Sequence, residues 1–315
     1  MSLDVGRLVL VRGTNHPGKG FSAMEAVAFA AGEAWSERPR CASPAITEWM
    51  IPWNDGLDDV ARQGLRRYIW RLVGSRGTRA EERVRQWMVA DWLVRWYAPG
   101  WLTAAGLRGH AARLTRLPPI RCADDVAVAW PTVRAASRAA RAERDMAWRS
   151  AAAVVAAHDW GTAGAVWSAI ADATWGAAGS AARAVVWSTA DPAAPGRVEA
   201  PVWDAACDAA ADAAGAVAWV AVRDAVRQGR ERPEPELVSA GVRSHSHDDE
   251  VAGAGAARTS RSCRVCTAEA NRVPREPDDQ WQLAWETTCA ALTPTSAEIQ
   301  AKAHDLVDRL LAITE

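Results

Sequence analysis

The residue types best suited to chemistry lie near the start of the chain, on loops and helix ends. The candidate catalytic residues are His16, Ser22, Glu25, Cys41 and Asp55. Ser22 opens the sequence Ser-Ala-Met-Glu, a capping box that places its hydroxyl at a helix N-terminus, where a nucleophile can be activated or an anion held. His16, in the preceding loop, could serve as the base. A hydrolase or transferase using this polar block is therefore the enzymatic hypothesis.

A structural role accounts for the same residues. Ser22 is explained as a helix cap, Glu25 as its partner in the capping box, and Asn54-Asp55-Gly56 as a turn. Glu33 and Arg38 complete the polar block. Caps are far commoner than nucleophiles, and no Gly-x-Ser-x-Gly elbow is present in the sequence. We favour the structural role.

Cysteines and histidines in the C-terminal part of the chain are candidate ligands for a metal ion. Cys263 and Cys266 form a Cys-x-x-Cys pair, and two thiolates with two imidazoles would complete a tetrahedral zinc site. The further ligands on offer are His245, His247 and Cys289. The His-Ser-His spacing differs from that of a zinc finger and lies in low-complexity sequence. We therefore expect no zinc and no other cofactor.

Three aspartates, Asp204, Asp208 and Asp212, are spaced four residues apart and share one face of a helix. Such a stripe could hold Mg²⁺ between substrate phosphates, but the Ala/Trp-rich stretch offers no second acidic cluster to complete that site. We expect a solvated face, or ion pairs with arginines of a neighbouring helix such as Arg134, Arg138 and Arg141.

Residues 62–95 carry nine arginines against three acidic residues. Apolar residues recur at helical spacing from Leu57 to Leu72, with Arg62 on the opposite face. Nucleic-acid binding is an alternative here, because three tryptophans follow the arginines. These tryptophans fall on an apolar helical stripe and are better explained as core, so we expect no nucleic-acid partner. They are Trp87, Trp92 and Trp96.

Composition narrows the class of protein further. The net charge of −1 gives no global attraction to nucleic acid or to an anionic membrane. Six cysteines in 315 residues are too few for a disulfide scaffold. The sequence shows no signal peptide and no run of about 18 apolar residues. These features predict a cytoplasmic protein with reduced thiols.

Residues 131–230 contain 36 alanines and seven of the chain's 18 tryptophans. Alanine is the best helix former, and its small side chain lets helix axes approach closely while indoles fill the remaining space. We predict three long helices, over 132–158, 161–189 and 201–228. Trp160 and Trp167 lie seven residues apart on one helix face, so both are expected to be buried.

The predicted fold is an all-α multi-helix bundle with a minor β-like segment, Arg7–Arg12, near its N-terminus. We divide the chain into an N-terminal helical domain (1–120), an Ala/Trp-rich bundle (121–228), a linker or mobile loop (229–262) and a C-terminal helical pair that packs back on the body (263–315). The pair is predicted over 281–292 and 295–313. A capping box at Thr295–Glu298 opens its second helix.

The sequence also resembles a family of Ala/Trp-rich helical proteins from actinobacteria and their phages, for which no activity is known. The similarity lies in 24–33, 36–44, Trp53-Asn54-Asp55, 71–74, 90–93 and the tail 291–310. In that family Cys is common at the position of Ser22, and His at that of Arg38. These two departures argue against a thiol or metal mechanism in the polar block.

The tryptophan content exceeds what one core of this size needs, so we expect some indoles to lie exposed for a partner. The sequence thus favours a helical interaction or assembly protein, associated with a phage or mobile element, that binds a protein partner or itself. The enzyme based on the N-terminal polar block is the alternative.

Overall fold

The computed structural model describes residues 7–13, 20–155, 160–174, 177–188, 200–231 and 279–313. Within these ranges every regular element is a helix, which confirms the all-α prediction. The β-like segment forms no strand there and makes a single isolated bridge between Leu10 and Phe21. A lone bridge is what remains when a short apolar run has no partner strand to extend it.

The N-terminal part is built from short helices, and its caps match the sequence signals. Ser22 caps α1, Ser43 precedes a proline at the first position of α2, and Thr78 caps α5 in a second capping box. The elements are α1 (Ala23–Ala30), α2 (Pro44–Gly56), α3 (Asp59–Gln63), a 3₁₀ turn (Gly64–Tyr68), α4 (Ile69–Leu72), α5 (Arg79–Trp92), a π turn (Leu93–Tyr97), α6 (Ala98–Ala104) and α7 (Arg108–Thr115).

Long helices make up the rest of the described chain. They are α8 (Ala123–Val155), α9 (Trp160–Thr174), α10 (Ala177–Ser188), α11 (Ala200–Glu231) and α12 (Asp279–Leu311). α11 is central and packs against α8, α6, α12 and α9. Its inward face is almost entirely alanine from Ala205 to Ala218, which permits the extensive contact with α8. The close packing of Ala-rich helices is therefore confirmed, and it encloses Trp203 and Trp219.

Three helix boundaries differ from the sequence prediction. α8 begins at Ala123 and continues through Pro131. The second predicted helix corresponds to α9 and α10, and residues 175–176 between them lie outside the described residues. α12 is one helix through Pro294, so the predicted C-terminal pair is wrong. A helix can survive the loss of one amide donor when both flanks are buried, and Leu292 and Ile299 are buried on either side. Thr295 accordingly lies inside the helix and caps nothing.

The helices of the N-terminal part and of the bundle pack against each other. α10 packs mainly on α2, and the Trp53 indole on α2 donates to Gln300 Oε1 on α12 at 2.7 Å. Helices on both sides of the predicted domain boundary at residue 120 therefore pack against the same neighbouring helices. Of the predicted linker, residues 229–231 end α11 and the remainder lies outside the described residues.

Candidate functional site

Ser22 and Glu25 form the capping box that the sequence predicts. The Ser22 amide donates to Glu25 Oε2 at 2.8 Å, and the Glu25 amide donates to Ser22 Oγ at 3.3 Å. The second carboxylate oxygen of Glu25 accepts from the Trp35 indole at 2.8 Å. Ser22 is 2% exposed and Glu25 is 0% exposed. Both groups are thus buried and engaged in hydrogen bonds within the chain.

The end of α2 lies beside this capping box. Asn54 Oδ1 accepts from the Ala23 amide at 3.2 Å, and Asp55 Oδ1 accepts from the Gly13 amide at 2.8 Å. The Asn54 side-chain amide also donates to Asp55 Oδ1 at 3.0 Å. Asn54 and Asp55 therefore join the N-terminal segment to α1 instead of forming a free turn.

Glu37 belongs to this cluster although sequence reasoning did not single it out. Burial raises its pKa, and the nearby carboxylates of Asp55 and Glu25 raise it further, while a hydrogen bond with Ser22 and the charge of Arg38 act in the opposite direction. Glu37 lies in an irregular segment without periodicity, so no sequence signal indicates that it folds back onto α1. Chemically the cluster can hold and share a proton.

Cys41 makes its contacts with a different carboxylate. Glu33 accepts from the amides of Arg40 and Cys41, at 2.6 Å and 2.8 Å. Burial is the main cause of the raised pKa of the Cys41 thiol, and the charge of Glu33 adds to it. A raised pKa keeps the sulfur protonated, the opposite of an activated nucleophile. His16 lies outside the described residues.

The geometry therefore brings together Ser22, Glu25 and Asp55 and adds Glu37, but Cys41 has different partners. The Ser22 hydroxyl already accepts from an amide and bonds to Glu37. A nucleophile must reach its substrate, and a hydroxyl in a side chain only 2% exposed does not. The arrangement favours a structural role for these residues.

No group of three or more His, Cys, Asp or Glu side chains is arranged to hold a metal ion among the residues that the structure describes. Cys289 lies there, part-way along α12, and burial followed by the charge of Asp172 raises the pKa of its thiol. The other proposed zinc ligands fall outside the described residues. They are Cys263, Cys266, His245 and His247.

The aspartate stripe on α11 is used for ion pairing with α8. Arg141 lies 3.6 Å from Asp212 and 4.0 Å from Asp208, as the sequence predicted. Asp212, only 6% exposed, also pairs with Arg144, which the prediction missed. Burial raises the pKa of Asp212 even though both arginines oppose the change. These contacts favour a structural role for the stripe over a magnesium site.

Seven of the nine arginines in 62–95 make hydrogen bonds or ion pairs within the chain. Arg62 and Arg85 are buried, and both donate to backbone carbonyls. Arg71 pairs with Asp308 of α12, and Arg95 of the π turn pairs with Asp91 of α5. The other three donate to nearby side chains or carbonyls: Arg66, Arg67 and Arg76. A basic surface for nucleic acid needs cations free to reach phosphates, and the two buried arginines are not.

A small cavity lies where the π turn meets α9, α10 and α11. π turns recur at functional sites, and this one places the Tyr97 hydroxyl against the Thr174 carbonyl. Burial raises the pKa of Tyr97, and it raises the pKa of Cys207 to about 12. Both groups therefore stay neutral near neutral pH. The lining residues are Tyr97, Thr174, Gly179, Arg183, Cys207 and Ala211.

Three tryptophans form an aromatic cluster across α8, α9 and α11. Trp219 is 0% exposed, and the rings of Trp148 and Trp167 stand edge-on to it, with centroids 4.5 Å and 5.7 Å away. The outer two indoles are 37% and 47% exposed. The prediction that Trp167 is buried is therefore wrong, and Trp160's side chain lies outside the described residues. We call this surface the aromatic face.

No protein-family model, curated protein or solved structure matches this chain. The resemblance to actinobacterial and phage proteins therefore stays a hypothesis. Pro201–Gln228 is long and apolar enough to cross a membrane, yet 72% of its most apolar window is buried inside the protein. A core helix of an all-α bundle has this same character.

Proposed function

We propose that this protein is a helical assembly module that associates with a second copy of itself through the aromatic face. The observation that carries the proposal is the exposure of Trp148 and Trp167 at 37% and 47%, in a chain that buries Trp49, Trp53 and Trp101 completely. Large exposed aromatic side chains are the residues that dominate the energetics of protein interfaces.

The charges beside the aromatic face favour a second copy over a charged partner. On α8, Arg144 lies 2.7 Å from Asp145, and on α11, Arg223 lies 2.8 Å from Asp224. Arg144 also pairs with Asp212, and Arg149 and Arg227 act on Asp145 and Asp224, so charges of both signs occur together on these helices. Because a two-fold interface brings identical surfaces together, a margin with both signs of charge can pair with its own copy.

The test is the subunit count of the full chain, measured by native mass spectrometry and by sedimentation velocity over the micromolar range. We expect a concentration-dependent dimer that Trp167→Gln weakens by about 30-fold or more, the loss typical of an interface hot spot. Trp70→Gln is the matched control, because Trp70 is 51% exposed but lies on α4, away from the face. A monomer at all concentrations would contradict self-association.

The enzyme remains the second candidate, and one observation favours it: the raised pKa of Glu37 beside Ser22, a property of proton-transferring groups. It ranks second because the serine is buried. We further propose that the assembly is cytoplasmic; the burial of α11 argues only against that helix crossing a membrane.

A further inference from the structure

Besides Arg85, which donates to the last carbonyls of the C-terminal segment, three polar side chains of α12 contact the N-terminal part and form a ladder. Gln300, His304 and Asp308 are spaced four residues apart and therefore lie on one face of the helix. Gln300 accepts from Trp53 of α2, His304 meets Tyr68 of the 3₁₀ turn, and Asp308 pairs with Arg71 of α4. The ladder runs beside the apolar stripe of α12, formed by Ile299, Ala303, Leu306, Val307 and Leu310.

His304 is the central contact and the one that can change charge near neutral pH. Its Nδ1 atom lies 2.8 Å from the Tyr68 hydroxyl, and its ring packs against the rings of Tyr68 and Trp53, with centroids 5.8 Å and 4.7 Å away. Burial raises the pKa of Tyr68 to about 12, so the phenol keeps its proton and can donate it to a neutral imidazole.

The charged groups around the imidazole come from the 3₁₀ turn, α4 and α12. Arg67 and Arg71 lie beside the Tyr68 ring, with their guanidinium carbons 5.9 Å and 5.6 Å from its centroid. From α12 itself Asp305 and Asp308 act in the opposite sense, although Asp308 is already paired with Arg71. Trp53, on the α2 side, is uncharged.

Protonation would disturb this arrangement in two ways. In an imidazolium Nδ1 carries a proton and would donate to the Tyr68 oxygen, so the phenol proton would have to turn to the His304 carbonyl, a longer contact of 3.4 Å. The new charge would also be half-buried and would face Arg67. Consistent with this, burial is the main cause that lowers the pKa of His304, and the charge of Arg67 adds to it.

We propose that the docking of α12 onto the N-terminal part is an acid-sensitive contact, with His304 as its titrating group. The neutral imidazole holds the helix in place. Acid weakens the central contact of the ladder, so the C-terminal half of α12 opens before the rest of the protein unfolds. The proposal does not depend on self-association, because none of the ladder residues lies on the aromatic face.

Hydrogen exchange of the full chain, followed by mass spectrometry at about pH 8 and about pH 5, tests this directly. The quantity is the protection of α12 peptides divided by that of α8 peptides, after correction for the pH dependence of intrinsic exchange. We expect the ratio to fall on acidification in the wild-type chain. Global acid destabilisation lowers both protections together and leaves the ratio unchanged.

Two variants of His304 test whether the imidazole causes the fall in the protection ratio. His304→Phe keeps an aromatic ring against Trp53 and Tyr68, and His304→Asn keeps an acceptor for the tyrosine; neither can titrate. The ratio should not fall in either variant. The control His110→Asn, which removes another histidine whose pKa burial lowers, should behave like the wild type. If His304→Phe fails to fold, His304→Asn decides. A wild-type ratio that does not fall, or one that still falls in His304→Asn, overturns the proposal.

Discussion

Arg85 offers the sharpest stability test, because one buried guanidinium joins three parts of the protein. Arg85 is 2% exposed and pairs with Glu82 one turn earlier on α5. It also donates to the Leu310 carbonyl at 3.1 Å and to the Ile313 carbonyl at 2.8 Å, which satisfies acceptors at the end of α12. A fourth contact runs to the Ser75 carbonyl at 3.0 Å.

The perturbation is Arg85→Met, which keeps the length of the side chain and removes the charge. Glu82 would keep its bonds from the Ser43 hydroxyl at 2.6 Å and the Gly77 amide at 3.1 Å, but would be left as a buried charge without a counter-ion. Removing one member of a buried ion pair costs about 3–5 kcal/mol. We expect the free energy of unfolding to fall by that amount.

Urea denaturation followed by circular dichroism measures the change. The control is Arg83→Met, on the exposed side of the same helix, which should alter stability by about 0.5 kcal/mol or less. The double variant Glu82→Gln/Arg85→Met should lose less than the sum of the two single changes, because it removes both charges together. An Arg85→Met variant within about 1 kcal/mol of the wild type would refute the argument, since about 3–5 kcal/mol is expected.

Three further predictions concern the candidate sites. Gly179→Ala should lower the free energy of unfolding by about 1–3 kcal/mol, because a Cβ there would collide with the Thr174 carbonyl oxygen. An unchanged melting temperature would contradict the described packing. Cys207 should resist iodoacetamide at neutral pH, because it is buried and its thiol pKa is raised, whereas the exposed Cys122 should react. Peptide mapping that shows equal labelling of the two cysteines would disprove this. Ser22→Ala should cost about 1 kcal/mol in chemical denaturation, as the loss of a cap does, and Ser22→Gly only a few tenths; equal costs would argue against the cap.

The sequence predicted those features that are determined by neighbouring residues. The caps at Ser22, Ser43 and Thr78 are local hydrogen bonds between residues three apart, so their residue types suffice to locate them. The Ala-rich helices follow from intrinsic propensity summed over many positions. The pairing of Arg141 with the α11 aspartates followed from helical spacing together with opposite charge.

The errors arose where tertiary packing overrides the local signal. The predicted apolar face is buried at Leu57 and from Leu65 to Leu72. Val60 is 86% exposed and Arg62 is 3% exposed, the reverse of the prediction at these two positions, because 57–72 is broken into α3, a 3₁₀ turn and α4. A period of 3.6 residues cannot be carried across such breaks. The continuity of α12 through Pro294 and the position of Glu37 likewise depend on contacts distant in sequence.

A comparison of hydrogen-bonding partners ranks the two functional hypotheses. In the N-terminal polar block, Glu25 and Asn54 accept from groups of the chain itself, and Ser22 is buried against its neighbours. A substrate would have to displace those internal bonds, each worth about 0.5–1.5 kcal/mol or more when charged, before making its own. Covering the exposed ring carbons of Trp148 and Trp167 releases water and breaks no hydrogen bond within the chain. This difference favours association through the aromatic face over the enzyme, and the subunit count of Trp167→Gln tests it.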